Sequence, residues 1–383
     1  MHGEGHGTAR RILVDYVVRA DAEAKSGGDM VQIAEYGGYL RDAGFDLRQV
    51  PFHPAMTLRD DAVVHVFNID RPFDFLLACR AAGSRRLVVS PIHHELARVR
   101  GMRAAERGRG MRSAAGRVLP ERLREWLGTA LRSARLSRGA ADLVATGRAV
   151  AWSAPRAVRM WREAGSALDR ADAVALLAEG EGEHLRRLTG WHGRNAVLVP
   201  NGRPEELDGA ARQPWAERPV GSILVVGRVE PRKRQLELAR SADRLGIPVR
   251  FVGPISDPGS AWATEFEALA ASSASVEHLG ALGRTEVLRL FAATRVLVNA
   301  SWVEVQSLVD LEAATMGCAV VTTPTGHSRE WLGDAVTVLD TDDPDALLRT
   351  AEAVAAQEAA PAPLGYDWTW QRAAERLAEL YRA

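Results

Sequence analysis

Short apolar runs separated by amphipathic stretches recur along the whole chain. Ile12–Val18, Phe45–Val50, Ala62–Phe67 and Arg86–Ser90 read as strands, with a helix from about 29 to 43 between the first two. The alternation resumes with Ala173–Leu177 and Ala196–Val199. Continuous apolar strands separated by helices predict a parallel sheet covered on both faces. A second series begins after residue 219, with runs at 222–226, 249–252, 275–279, 296–300, 318–322 and 336–339. Between the series, Pro200-Asn-Gly-Arg-Pro204 and a polar stretch to Pro219 read as the linker. Two α/β units joined by a short Pro/Gly hinge predict a cleft, a common place for a ligand. In the tail Tyr366–Tyr381, Ala373, Leu377 and Leu380 recur at helical spacing, which predicts an amphipathic helix.

Composition narrows the class. The chain has 383 residues, 46% hydrophobic and 26% charged, as in soluble globular proteins of two ordinary domains. Its net charge is zero, so no global field draws it to nucleic acid. No apolar run approaches the ~18 residues needed to span a bilayer, and the first residues lack the apolar stretch of a signal peptide. Cys79 and Cys318 follow apolar segments and fit as small buried residues. The expected location is cytoplasmic. His2 and His6 sit on a glycine-spaced terminus and read as such rather than as a metal site.

The candidate chemistry lies where strands end. Gly227-Arg228-Val-Glu-Pro-Arg-Lys233 follows the strand at 222–226, and Glu304-Val-Gln-Ser-Leu-Val-Asp-Leu-Glu312 follows the strand at 296–300. Open α/β sheets bind ligands at this edge. Arg228 and Lys233 offer two cations for a diphosphate; Glu304 and Glu312 offer two carboxylates for sugar hydroxyls. A nucleotide-sugar carries both kinds of group. Of the 49 Lys and Arg residues only two are lysines, Lys25 and Lys233, both in loops beside glycines. A compact ammonium contacts phosphate as a point charge where a planar guanidinium fits less well. Glu312 shares a helical stripe with Leu308 and Met316, where a carboxylate is costly to bury unless its lone pairs are used. The amides of that helix's first turn, at Gln306, Ser307 and Leu308, should face the cleft as neutral donors. Ser26-Gly27-Gly28 precedes another helix start, and glycines let backbone approach a ligand closely. Asp29 reads there either as part of this loop or as a helix N-cap. Asp340-Thr-Asp342-Asp343-Pro344 is acidic but reads as a turn before a helix. Charge neutralisation is therefore expected from Arg and Lys, with no essential metal.

Residues 98–138 stand apart, with twelve arginines against Glu106, Glu121 and Glu125. Arg122, Leu123, Trp126, Leu127, Ala130 and Leu131 fit an amphipathic helix with a basic face. Such a helix lies on an anionic membrane surface, contacts an anionic acceptor, or is a solvated insertion.

The order Gly-Arg-x4-Lys, Glu-x7-Glu, then Gly326 and Glu330 resembles the retaining glycosyltransferases of the GT-B fold, family 4. The resemblance covers most of the chain. Gly27-Gly28-Asp29-Met-Val-Gln32 is similar to a first-domain loop of one bacterial branch, Val199-Pro200-Asn201-Gly202 to the interdomain hinge, and Tyr366–Tyr381 to the helix that crosses back to the first domain. It implies an acceptor-side domain over 1–200, with an Arg-rich helical insertion at about 95–165. A nucleotide-sugar domain would follow over 205–365, then a returning helix over 366–383. By the same resemblance, Arg228 and Lys233 hold the donor diphosphate, Glu312 the ribose, and Glu304 lies by the transferred sugar. Gly27 and Gly28 approach the phosphate from the opposite domain, and the amides near Ser307, Leu308 and Val309 touch sugar or phosphate. His93 or His94, in Ser90-Pro-Ile-His-His94, matches a histidine that contacts the donor sugar, or is structural. The chain departs from the family at Ser307, often Gly, and at Gln306, often near an aromatic; both are expected beside the sugar.

The resemblance implies hexosyl transfer from a nucleotide-sugar to an acceptor hydroxyl, with front-side attack and retained anomeric configuration. It points to bacterial envelope polysaccharide or glycolipid synthesis, with peripheral contact on the inner face of the cell membrane through 98–138. Natural-product glycosylation and a non-catalytic sugar-nucleotide-binding protein are the alternatives. A nicotinamide dehydrogenase would need Gly-x-Gly-x-x-Gly after a strand, and residues 18–29 and 226–235 do not supply it.

Overall fold

The computed structural model describes residues 11–22, 27–107, 120–207 and 209–383, with backbone alone for 103–107. His2, His6, Lys25, Ser26 and residues 108–119 of the Arg-rich segment lie outside the described residues.

The chain forms two six-stranded parallel sheets, and each strand lies within one residue of its expected bounds. The first comprises β1 (Ile12–Val18), β2 (Phe45–Pro51), β3 (Val63–Phe67), β4 (Leu87–Ser90), β5 (Ala173–Leu176) and β6 (Ala196–Leu198), in the order β2-β1-β3-β4-β5-β6. The second comprises β7 (Ile223–Val226), β8 (Val249–Val252), β9 (Val276–His278), β10 (Val296–Asn299), β11 (Ala319–Thr322) and β12 (Val336–Val338). Its order, β9-β8-β7-β10-β11-β12, reverses direction between β7 and β10 and so has its topological switch point there. The inner strands β3, β4, β5, β10 and β11 are buried at every residue, which is why their sequences lack a period of two.

Helices α1 (Gly28–Asp42), α2 (Pro72–Ala82), α3 (Leu96–Arg107), α4 (Glu121–Leu136), α5 (Ala140–Ser153), α6 (Met160–Arg170) and α7 (Glu179–Thr189) accompany the first sheet. Helices α8 (Gln235–Leu245), α9 (Ala261–Ser272), α10 (Arg284–Ala293), α11 (Leu308–Thr315), α12 (Ser328–Leu332) and α13 (Pro344–Ala355) accompany the second. Each sheet has an apolar cluster on both faces.

The final helix, α14 (Trp370–Arg382), crosses back and packs on α1 in the first domain. It starts four residues later than Tyr366, because Tyr366 is held at the hinge: its hydroxyl donates to the Asn201 carbonyl and accepts from Gln306 Nε2 at 3.0 Å. Trp370, Ala373, Ala374, Leu377 and Tyr381 complete the core beside β1 and α1. His65, on β3, is buried between the Tyr381 hydroxyl at 2.6 Å and Ser90 Oγ at 2.9 Å. Burial lowers its pKa to about 3, so it stays neutral and acts as a polar peg for α14.

The Arg-rich segment contributes α3 and α4. The α4 helix forms, but its buried positions are Thr129 and Ser133. Thr129 donates to buried Asp74 at 2.7 Å and Arg132 reaches the same carboxylate at 3.2 Å, so a polar stripe docks on α2. Leu131 is left 56% exposed, with Leu136, Leu143, Val144 and Val158 also exposed on the same insertion. Among the described residues no helix is long and apolar enough to cross a membrane.

Candidate active site

The loops after β7 and β10 meet at the switch point. Gly227 leaves β7 at φ 144°, a conformation open to glycine, and the Lys233 side chain runs 3.7 Å from where a Cβ would sit. A 3₁₀ turn at Pro231–Lys233 then sends Lys233 Nζ onto the Glu304 carboxylate. Arg232 lies 3.7 Å from the same carboxylate and donates to the Val303 carbonyl at 3.0 Å. Burial pushes the Glu304 pKa up, but Lys233 and Arg232 outweigh it and bring the value down to about 2. Glu304 is therefore ionised throughout the neutral range. Arg228 is freer: its guanidinium is 40% exposed and 3.8 Å from Glu230.

The start of α11 completes this edge. Ser307 is its N-cap and accepts from the Asp310 amide at 3.3 Å. Leu308 and Val309 are half-buried in the first turn, where amides have no intrahelical acceptor. Asp310 is buried and accepts from Asn299 Nδ2 at 2.9 and 3.0 Å. Burial and the nearby Glu304 charge raise its pKa to about 7. Asp310 is absent from the residues expected at the site; a third carboxylate within Glu-x7-Glu, two residues before Glu312, is the signal that marks it.

Glu312 is half-buried, on the cleft side of α11. Arg284, at the start of α10, donates to it at 2.9 Å and to Glu206 at 3.3 Å. Burial raises the Glu312 pKa, partly offset by Arg284. Val31 and Glu35 of α1 close over this spot, leaving a cavity of about 10 Å³, the size of one water. A larger group facing Glu312 requires the cleft to widen.

Gln306 is a correction. Its side chain, expected beside the sugar, is instead engaged at the hinge: Oε1 accepts from the Asn201 amide at 2.6 Å and Nε2 donates to Tyr366. Gly202 beside it has no room for a side chain, because a Cβ would lie 2.0 Å from the Trp370 nitrogen.

On the first-domain side, His93 and His94 share one carboxylate. Asp70 accepts from His93 Nδ1 at 2.6 Å and from His94 Nδ1 at 2.5 Å. His93 is buried, which lowers its pKa, but Asp70 outweighs this and the net shift is upward. Its amide donates to Glu181 at 2.8 Å, and its ring meets the Trp161 edge at 6.1 Å. Burial pushes Glu181 up to about 7. Gly27 precedes α1, and Gly28 opens that helix with nothing within 4 Å of where a Cβ would sit. Asp29 does not cap the helix; it pairs with Arg19 at 2.6 and 3.0 Å.

The acidic turn before α13 is structural. Asp343 caps α13 by accepting from the Asp345 amide at 3.1 Å, and Asp342 pairs with Arg98 at 2.5 Å. Among the described residues no group of three or more His, Cys, Asp or Glu side chains is placed to hold a metal ion.

The fold has known counterparts. The two-sheet fold is GT-B. Sucrose-phosphate synthase from Thermosynechococcus elongatus superimposes with TM-score 0.58 at 15% identity, covering 97% of this chain and 98% of that one. HepE from Anabaena, solved with UDP-glucose, gives TM-score 0.55 at 12% identity over 96% and 99%. WaaG, a glycosyltransferase involved in lipopolysaccharide biosynthesis, gives 0.53 at 16% identity over 97% and 95%. In sequence, residues 221–357 match the family model for glycosyl transferases group 1. That stretch contains Arg228, Lys233, Glu304 and Glu312. A curated relative from Arabidopsis thaliana, one of the subunits of phosphatidylinositol N-acetylglucosaminyltransferase, is 30% identical over 155 residues, 39% of this chain. The match spans 35% of that relative's length.

Proposed function

We propose that the protein is a retaining, family 4 type glycosyltransferase that moves a hexosyl unit from a nucleoside diphosphate sugar to an acceptor hydroxyl without an essential metal. The observation that carries this reading is the convergence of Lys233, Glu304 and the α11 N-terminus at one switch point, within the stretch that matches group 1 glycosyl transferases.

Each residue has a role in this reading. Arg228 and Lys233 hold the diphosphate, assisted by the Leu308 and Val309 amides. Glu312 accepts from the ribose hydroxyls once the cleft widens. Glu304, held ionised, faces the transferred sugar. As the bond from the anomeric carbon to the phosphate oxygen breaks, negative charge grows on the diphosphate where the cations and amides lie. The acceptor oxygen attacks the same face, and its proton passes to the departing phosphate oxygen. The products are the glycoside and the nucleoside diphosphate. Glu304 and Glu312 are thus not a glycosidase acid–nucleophile pair. His93, with its imidazole oriented by Asp70, is offered to the sugar from the first domain, and Gly27 and Gly28 let α1 approach the phosphate.

For the acceptor we propose an anionic, lipid-linked saccharide. A cavity of about 510 Å³ opens between the Arg-rich helices, bounded by Arg122, Arg159, Arg162 and Trp161 together with Arg100 and Glu121, which pair at 2.8 Å. Trp161 also touches His93, so the cavity adjoins the proposed reaction centre. The exposed leucines and valines of the insertion provide peripheral contact with an anionic membrane. The Arabidopsis relative is a subunit of a phosphatidylinositol N-acetylglucosaminyltransferase, whose name pairs sugar transfer with a lipid.

The test is donor hydrolysis across UDP-, GDP-, ADP- and dTDP-sugars in EDTA, with the anomer of the released sugar read by NMR. The reading expects one nucleotide family to react with retention. Inversion, or dependence on added metal, contradicts it.

A further inference from the structure

The N-terminus of α7 lacks a cap of its own. The residue before it is Ala178, which has no side-chain acceptor. The acceptor comes from the other domain: Glu330 takes the Glu179 amide at 2.9 Å and the Gly180 amide at 3.0 Å. The fit leaves no slack. A Cβ on Gly180 would lie 2.3 Å from His327 Nδ1 and 2.6 Å from Glu330 Oε1. His327 adopts φ 53°, unusual for a residue with a side chain, and its ring lies 5.1 Å from that of His184 on α7.

Both ends of this contact lead to the proposed reaction centre. On the first-domain side the next residue, Glu181, is fully buried and accepts the His93 amide. On the second-domain side Gly326 lies against Glu304, with a Cβ there 2.9 Å from Glu304 Cβ. Moving Glu330 relative to α7 therefore moves the Glu304 loop relative to His93.

We infer that Glu330 is a positioning residue: by capping α7 across the cleft it holds the two domains closed and sets Glu304 opposite His93. The closure does not depend on the transferase reading; its effect on turnover does. Arg98 on α3 adds a second tie across the cleft: it donates to the Trp302 carbonyl at 2.8 Å, two residues before Glu304, and pairs with Asp342 at 2.5 Å.

The experiment measures closure and chemistry separately. Cys79 and Cys318 are buried, so spin labels attach at Arg148→Cys and Glu267→Cys, two exposed positions on opposite domains. Glu330→Ala should add a longer-distance population to the ligand-free protein. Gly180→Ala crowds the His327 ring and the Glu330 carboxylate, side-chain groups able to turn aside, so its effect should be smaller than that of Glu330→Ala. Glu330→Gln keeps one acceptor oxygen and should lie between wild type and Glu330→Ala. With the donor that wild type hydrolyses, Glu330→Ala should lower kcat at least tenfold. It should not weaken nucleoside diphosphate binding more than threefold, because Arg228, Lys233 and Glu312 lie in the second domain and the cleft over Glu312 must widen to admit the ribose. Unchanged label distances in Glu330→Ala overturn the inference. So does a mutant that loses nucleotide affinity and kcat in equal measure. A wild type that binds no nucleotide but opens on Glu330→Ala supports the closure and refutes the transferase reading instead.

Discussion

Lys233 and Glu304 come from two loops 71 residues apart and form an ion pair at the point where the second sheet reverses direction. In the ligand-free protein each neutralises the other. A diphosphate arriving there shares the ammonium without adding an unpaired buried charge, and Glu304 stays ionised because Arg232 remains beside it.

Lys233→Ala should therefore lower turnover of the preferred donor by on the order of 10²-fold, the usual cost of removing one preorganised contact to a developing charge. Lys233→Arg should rescue little, since Arg232 already occupies the adjoining space and a planar fork does not replace a point charge. Steady-state kinetics on the three proteins checks this.

Glu312→Gln should separate nucleoside recognition from phosphate recognition. Loss of a charge-assisted bond, ~1.5–3 kcal/mol, corresponds to roughly tenfold or more in nucleoside diphosphate affinity. Pyrophosphate affinity should be unchanged. Titration calorimetry with both ligands distinguishes this from a general loss of the site.

Glu304 and Asp310 give stability two opposite pH slopes. Glu304 has a depressed folded pKa, so its contribution is present above 4.5 and is lost as pH falls toward about 2. Asp310 has a raised folded pKa, so the folded state binds more protons than the unfolded one. Its contribution is lost as pH rises from 3.8 toward about 7. Asp310→Asn should flatten the upper slope and leave the lower one, as read by denaturant unfolding at stepped pH.

Asp70→Asn should lower the pKa of His93, because Asp70 is what raises it against burial. The His93 ring protons, followed by NMR, should titrate at lower pH than in wild type, and donor turnover should fall.

Gly202→Ala should unseat α14. Its Cβ would meet backbone at 2.0 Å, and the first-domain core depends on Trp370, Leu377 and Tyr381. A loss of roughly 2 kcal/mol or more is expected, with a lower Tm.

Much of this is legible in the chain. Fully buried strands such as β3, β4, β5, β10 and β11 show as uninterrupted apolar runs and the shorter runs between turn signals mark the rest, so all twelve can be placed, and Gly227-Arg228 and Glu304 fall at strand ends where a ligand edge is expected. What is not legible depends on contacts distant in sequence. Gln306 sits two residues from Glu304, yet its amide serves Asn201 and Tyr366 at the hinge. The amphipathic pattern of α4 shows the helix but not its docking side, which Asp74 on α2 sets by drawing the Thr129 and Arg132 stripe inward. Arg284 acts on Glu312 28 residues away with no local pattern to mark it, and Glu330, though part of the motif order, meets α7 151 residues away, a contact no spacing foretells.

The central claim is that this switch point binds a nucleoside diphosphate. Titration calorimetry of UDP, GDP, ADP and dTDP in EDTA, on wild type, Lys233→Ala and Glu312→Ala, tests it most directly. The account predicts that one nucleotide binds wild type and that each substitution weakens it at least tenfold. Absence of binding to wild type, or equal affinity in Lys233→Ala, would contradict it.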